Sequence, residues 1–307
     1  MKVMVLGAGA VGGYFGGRMT AAGSDVTFLV REKRAVQLSD GLRIESPLGD
    51  ATIPVKTFIQ GDVGGPFDLI ILSCKSYGLA NALDAITPHV NEGTVVVPLL
   101  NGYAHVEQLE QRFPSAIISG GTAGIIATLT EDGTVRHMRP NQFISVGPRR
   151  NNADPHGMLE ELVSEMKRAD IDATLSSNIN LAMWEKWTFL ATLAASTCLM
   201  RCSIGSILET DHGEKLIEGL FDECNSTACA EGYPPGPSSA QLYRGILFER
   251  NSMVTASMLR DLEAGSPTEA EHIIGDMIKR AAQHGIETPL LKVANTHLQA
   301  YENARHK

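Results

Sequence analysis

The sequence predicts an α/β chain: an N-terminal doubly wound parallel sheet followed by an all-helical C-terminal domain. Three observations carry that expectation. The chain opens with an apolar run, KVMVL, that leads straight into a glycine-rich turn, GAGAVG. Continuous apolar runs then recur through the first half, DVTFLV, DLIILS and TVVVPL, with helical stretches between them. Such alternation marks a parallel sheet buried on both faces by crossover helices. After about Ser176 the strand-like runs vanish and only helical patterns remain.

Lys2 to Leu6 is too short for a buried helix and fits a buried strand. Gly7, Gly9 and Gly12 then match G-x-G-x-x-G, and Tyr14 to Ala22 reads as a helix ending near Gly23. A strand, this turn and a helix are the setting in which the fingerprint means dinucleotide binding, so the N-terminal domain reads as a Rossmann domain. The whole loop, Gly7, Ala8, Gly9, Ala10, Val11 and Gly12, is assigned to cofactor phosphates, which the free N–H groups of a helix N-terminus favour. An ordinary strand-to-helix turn would explain one glycine, but the segment Gly7 to Gly17 holds six. The second strand, Asp25 to Val30, ends at Arg31, with Lys33 and Arg34 close behind and Glu32 as the only nearby acid. A site for NAD places an acid there, to hold the ribose 2′-hydroxyl. Cations suit a 2′-phosphate, so the cofactor expected is NADPH (NADP). The competing reading is a solvated basic loop.

Leu42 to Ile44 and Ala51 to Val55 look like short strands flanking the PLGD turn. Asp68 to Ser73 and Thr94 to Leu99 fit central strands, and Ala116 to Ser119 follows. Thr134 to Met138 with Gln142 to Val146 suggests a hairpin around RPN, an antiparallel extension of the sheet edge. Leu79 to Ile86 and Ala104 to Phe113 read as helices, as do Ile179 to Met200, Gly213 to Glu231, Ser238 to Arg244, Asn251 to Glu263 and Thr268 to Gly285. The expected domains are residues 1–176, binding NADP, and 177–307, helical and carrying substrate and catalysis. A cleft between two such domains is a favoured ligand site.

The chain has 307 residues, a prior of about two domains. Its 43% hydrophobic and 20% charged content are ordinary for a soluble globular protein. A net charge of −9 argues against nucleic acid or an anionic membrane as the main partner. No apolar stretch of membrane-spanning length and no signal peptide appears, and five cysteines without a framework suggest a reducing, cytoplasmic setting. Cys198 and Cys202 read as packing residues, and no metal is expected.

Lys186 sits in NLAMWEKWTFLATLAAS with apolar Ala182, Leu190 and Ala194 at helical spacing. A buried lysine loses pKa unless an acid pairs with it, and then it can donate a proton near neutral pH. The alternative is a lysine snorkelling to solvent. Glu269 fits a capping box, with Ser266 as N-cap and Pro267 as the first helical residue, which by itself accounts for it. Asn101-Gly102 closes a strand, where ligands bind in open α/β sheets, but Asn-Gly is equally a turn pair. Lys75 follows DLIILSC in a similar place. Ser257 alone is an ordinary helical serine.

Taken in order, GAGAVG, SCKS (Ser73 to Ser76), LNG (Leu100 to Gly102), MWEKW (Met183 to Trp187) and SMLRDLEAGSPTE (Ser257 to Glu269) resemble the ketopantoate reductase family over nearly the whole chain. The resemblance implies reduction of a 2-keto acid with NADPH, by default 2-dehydropantoate to pantoate in pantothenate biosynthesis. It implies Lys186 as general acid, and Glu269 as the acid that pairs with it and helps hold the ligands, cofactor included. It implies Asn101 in contact with cofactor and substrate, Ser257 with substrate, and Lys75 and Arg31 with cofactor. The family occurs as monomers and homodimers. One departure matters. Leu190, Ala194 and Val254 stand where the family carries asparagines, which points to a pocket for a more apolar 2-keto acid. The competing expectations are another NADP-dependent hydroxy acid dehydrogenase and a non-catalytic NADPH-binding protein.

Overall fold

The structure, a computed structural model, describes residues 1–62, 64–149 and 156–305. The chain divides into two compact units. The first comprises Met1–Leu100 with His105–Ile179, and the second Asn101–Ala104 with Asn180–Lys307.

The first unit runs β1 (Lys2–Leu6), α1 (Ala10–Ala21), β2 (Asp25–Leu29), α2 (Glu32–Gln37), β3 (Leu42–Glu45), β4 (Ala51–Ile53), β5 (Lys56–Phe58), β6 (Leu69–Leu72), α3 (Leu79–Ile86), β7 (Val95–Pro98), α4 (Ala104–Arg112), β8 (Ile117–Ile118), β9 (Gly120–Leu129), β10 (Val135–Gly147), α5 (Met158–Arg168) and β11 (Asp172–Leu175). Six strands form one sheet in the order β5-β2-β1-β6-β7-β8. Every pair in it is parallel. That is the doubly wound order of a dinucleotide-binding sheet, with β1 at its centre. β1, β6 and β7 are buried almost throughout, as their unbroken apolar sequences require.

A second sheet lies in the same unit, in the order β11-β10-β3-β4 with β9 paired to β10. It corrects the expected hairpin around RPN. Residues 135–147 form a single strand whose antiparallel partner is β9, and RPN is an irregularity in that ladder between His137 and Gln142. Proline cannot donate to a ladder, so the strand bulges there instead of turning. The PLGD turn does join an antiparallel pair, β3 and β4, within this second sheet.

Helix α1 begins at Ala10, four residues before the expected Tyr14. Its glycines face strands of both sheets. A Cβ on Gly13 would meet Val135 at 2.9 Å, one on Gly16 would meet Phe28 at 2.8 Å, and one on Gly17 would meet Leu42 at 2.7 Å. The glycine richness of this segment is therefore largely a packing requirement.

The second unit is helical: α6 (Ile179–Met200), α7 (Ile204–Leu208), α8 (Gly213–Ala230), α9 (Pro237–Leu247), α10 (Ser257–Glu263), α11 (Asp276–Gln283) and α12 (Pro289–Arg305). Among the described residues no strand follows β11. α10 starts at Ser257, not Asn251, because residues 251–256 form a loop with Asn251 at φ 65°. The helix expected from Thr268 starts later, with a π-helical turn over Glu271–Gly275 leading into α11. Among the described residues no helix is long and apolar enough to cross a membrane.

Candidate functional site

In the first unit the candidate site is built on the carboxyl end of β1. Gly7 takes φ 92°, a backbone state that a side chain would strain. A Cβ on Gly12 would collide with the Gly7 carbonyl oxygen and with Ser73 Oγ, so only glycine lets α1 start this close to the strand. Ser73 fixes the same turn from β6, donating to the Leu6 carbonyl at 2.9 Å. Gly9 differs from both. A Cβ there would meet nothing within 4 Å, so the loop leaves open space at the α1 N-terminus. The first turn of α1 carries no acid, and Gly9 brings no side-chain cap to its N–H groups. Those are the conditions in which a helix N-terminus accepts a phosphate, so the residues fit a dinucleotide.

The three cations after β2 have separate settings. Arg31 and Lys33 are exposed, Arg31 as the residue capping α2. Arg34 is turned inward. Its Nε donates to the Ala8 carbonyl at 2.9 Å and its Nη1 to the Gly133 carbonyl at 2.8 Å. Burial pulls its pKa below the ordinary value. Arg34 is thus committed to the underside of the glycine loop, which leaves Arg31 and Lys33 as the exposed cations. Lys75 is half-buried just beyond β6, where it precedes a short 3-10 turn at Ser76–Gly78.

In the second unit Lys186 lies on α6 beside buried Met183 and Trp187. Burial pulls its pKa down to about 8, and the negative charge of Glu269 opposes the fall. Glu269 is 6% exposed. The capping-box reading of Glu269 does not hold, because residues 266–269 precede the helix. Ser266 spends its carbonyl on Tyr301, and Thr268 donates from its backbone and hydroxyl to Glu302. Ile273 N–H donates to the Glu269 carbonyl, and Trp187 Nε1 donates to the Ile273 carbonyl at 2.9 Å. One residue of the π-helical turn therefore ties α6 next to Lys186 to the backbone of Glu269.

Asn101 belongs to the second unit although its strand belongs to the first. Its carbonyl accepts a hydrogen bond from the His272 ring. Tyr103, two residues on, stacks near Trp187, lies under the Arg280 guanidinium and donates to Asn180. Lys186, Glu269 and Asn101 are thus joined through one framework. Ser257 is exposed at the start of α10. Of the three apolar residues singled out in the sequence, Ala194 is buried while Leu190 and Val254 are half-buried. All five cysteines are free thiols, and burial lifts the Cys198 thiol to about 12. Among the described residues no group of three or more His, Cys, Asp and Glu side chains is placed to hold a metal ion.

Residues 3–151 match the family described as ketopantoate reductase PanE/ApbA, and residues 178–302 match its C-terminal part. The chain belongs to the ketopantoate reductase family. Membership makes it an oxidoreductase. It is 34% identical to the uncharacterized oxidoreductase YkpB of Bacillus subtilis over 304 residues, 98% of this chain and 99% of the relative. A solved 2-dehydropantoate 2-reductase of Geobacter metallireducens is 28% identical with a TM-score of 0.86, over 98% of this chain and 99% of the other. D-Mandelate dehydrogenase, solved with NADH and anilino(oxo)acetate, shares the fold at a TM-score of 0.88 and 21% identity, with both chains fully covered.

Two features of this ketopantoate reductase relative escape sequence reading. His272, at the Asn101 turn, gives no signal beyond a histidine three residues after Glu269. Arg34 reads as one cation among three until its carbonyl partners are seen.

Proposed function

We propose that this chain reduces a 2-keto acid to the 2-hydroxy acid with NADPH, with Lys186 as the proton donor. The observation that carries the reading is Lys186 itself, a lysine brought to a pKa of about 8 by burial with the Glu269 charge acting on it. A group so tuned is largely protonated at neutral pH yet gives up its proton readily.

The glycine loop and the α1 N-terminus bind the cofactor phosphates, and Arg31 with Lys33 meets the 2′-phosphate. When bound, the nicotinamide supplies a hydride to the keto carbon. Lys186 Nζ faces the keto oxygen, stabilises the charge that grows there and delivers the proton that completes the hydroxyl. Glu269 keeps the ammonium charged and aimed. Asn101 holds the ligands by its carboxamide, and Ser257 contacts the substrate. Residues 1–176 form the cofactor domain of this reading and 177–307 the substrate domain.

Ketopantoate is the default substrate by family. A second reading has its own support. Leu190 follows Lys186 by one helical turn, and Phe189 beside it stacks on Tyr243 at 4.7 Å. Neither the Leu190 side chain nor the Phe189 ring can hydrogen-bond a substrate hydroxyl, so a 2-keto acid with an apolar branch is favoured beside them. Steady-state kinetics with NADPH across hydroxylated, branched and linear 2-keto acids decides between the two. Lys186→Ala should lower turnover on the best of them at least ~100-fold, and a loss below about tenfold overturns the proton-donor role.

A further inference from the structure

We infer that His272 is a positioning residue, holding the Asn101 turn so that the Asn101 carboxamide is presented to substrate. The inference rests on the reading above, in which Asn101 holds the ligands.

Gly102 takes φ 81°, and a Cβ there would meet the His272 ring at 2.9 Å and the His272 carbonyl at 3.0 Å. The turn is therefore seated directly on His272, with only a hydrogen atom of clearance. The Asn101 carbonyl takes the ring N–H. Two contacts on consecutive residues fix the turn immediately beside the Asn101 side chain.

The seat is itself anchored. His272 lies inside the π-helical turn at Glu271–Gly275, an arrangement that is rare in helices and frequent at functional sites. Ile273, the next residue, bonds to the Glu269 carbonyl through its N–H and to Trp187 through its carbonyl. His272 and Ile273 thus set Asn101, Glu269 and the α6 segment of Lys186 against one another. Burial keeps the imidazole pKa below its ordinary value, against the pull of Glu269 and Asp276, so the ring serves as a neutral hydrogen-bond donor. A ring fixed by packing can hold a ligand-binding turn to the sub-ångström tolerance that orientation demands.

The test compares His272→Ala, His272→Leu and His272→Gln with the full-length enzyme, using NADPH and whichever 2-keto acid of the panel turns over fastest. Leucine fills the space without a donor, and glutamine restores an N–H. His272→Leu should raise KM for the keto acid about tenfold or more, with a smaller effect on kcat. His272→Gln should recover most of that loss. Adding Asn101→Ala to His272→Leu should raise KM less than about threefold further, because both changes act through one side chain. Should His272→Ala fail to fold, the leucine and glutamine variants carry the comparison. An unchanged KM in His272→Leu, no recovery with glutamine, or effects of His272→Leu and Asn101→Ala that simply multiply would overturn the inference. An unchanged KM in Asn101→Ala alone would instead defeat the underlying reading, in which Asn101 holds the ligands.

Discussion

Lys186 is the residue on which chemistry and electrostatics meet. Burial lowers its pKa to about 8, while Glu269 holds it up. The sign of the pH dependence follows. The ammonium is the acid form, so keto acid reduction is fully supported below that pKa and is lost above it. We expect kcat/KM for reduction to fall about tenfold per pH unit above about 8. Removing the carboxylate charge removes the influence that raises the lysine pKa. Glu269→Gln should therefore shift that limb to lower pH, as well as slowing turnover at pH 7. A pH profile from 6 to 10 of both proteins checks this. A limb that stays in place in Glu269→Gln would mean that the glutamate acts on something other than the lysine.

At the scale of the element, helix α1 shows how one composition serves two demands. Gly12 abuts backbone, the Gly7 carbonyl, which cannot yield without dismantling the turn. Gly17 abuts the tips of Leu42 and Ile44, which can rotate. Gly12→Ala should therefore cost about 1–3 kcal/mol of stability and weaken NADPH binding. Gly17→Ala should cost less, because those side-chain tips can move aside and leave alanine's helix-propensity gain of roughly 1 kcal/mol, present in both variants, to offset the strain. Urea denaturation and NADPH titration of the two variants test the ranking. Equal costs would show that the turn tolerates a side chain. The same helix marks what the sequence made legible. The strand, the fingerprint and the parallel runs were readable because local patterns encode them. The extra glycines read only as a phosphate signal, because the strands that crowd them, Phe28 against Gly16 in the first sheet and Val135 and Leu42 against Gly13 and Gly17 in the second, meet α1 only in the folded chain. β9, and the pairing of β10 with it in place of a hairpin within β10, hid for a related reason. Their pairing spans Gly120 to Gly147 around a proline that reads locally as a turn. The π-helical turn after Glu269 was hidden too, because Ser-Pro-Thr-Glu is a good capping sequence and only the Glu302, Tyr301 and Trp187 contacts displace it.

For the whole molecule, the candidate residues fall into two groups that follow the two units. The glycine loop, Arg31 and Lys75 lie in the first, and Lys186, Glu269, Asn101 and Ser257 in the second. Cofactor binding should therefore be measurable apart from chemistry. A ligand at a hundred times its Kd stabilises the folded state by about 2.7 kcal/mol. In a unit of this size each kcal/mol moves the transition by about 2–4 °C, so NADPH should raise it by roughly 5–10 °C. Lys186→Ala leaves the glycine loop intact and should retain that shift while losing turnover. The 2′-phosphate is the only difference between NADPH and NADH, and Arg31 is an exposed cation beyond β2. Arg31→Glu should therefore erase most of the NADPH shift and leave the NADH shift nearly unchanged. Differential scanning calorimetry of the wild type and both variants, with each cofactor at matched concentration, reads these outcomes directly. Equal shifts from the two cofactors in the wild type would remove the assignment of Arg31 to the phosphate, while the glycine loop would keep its role.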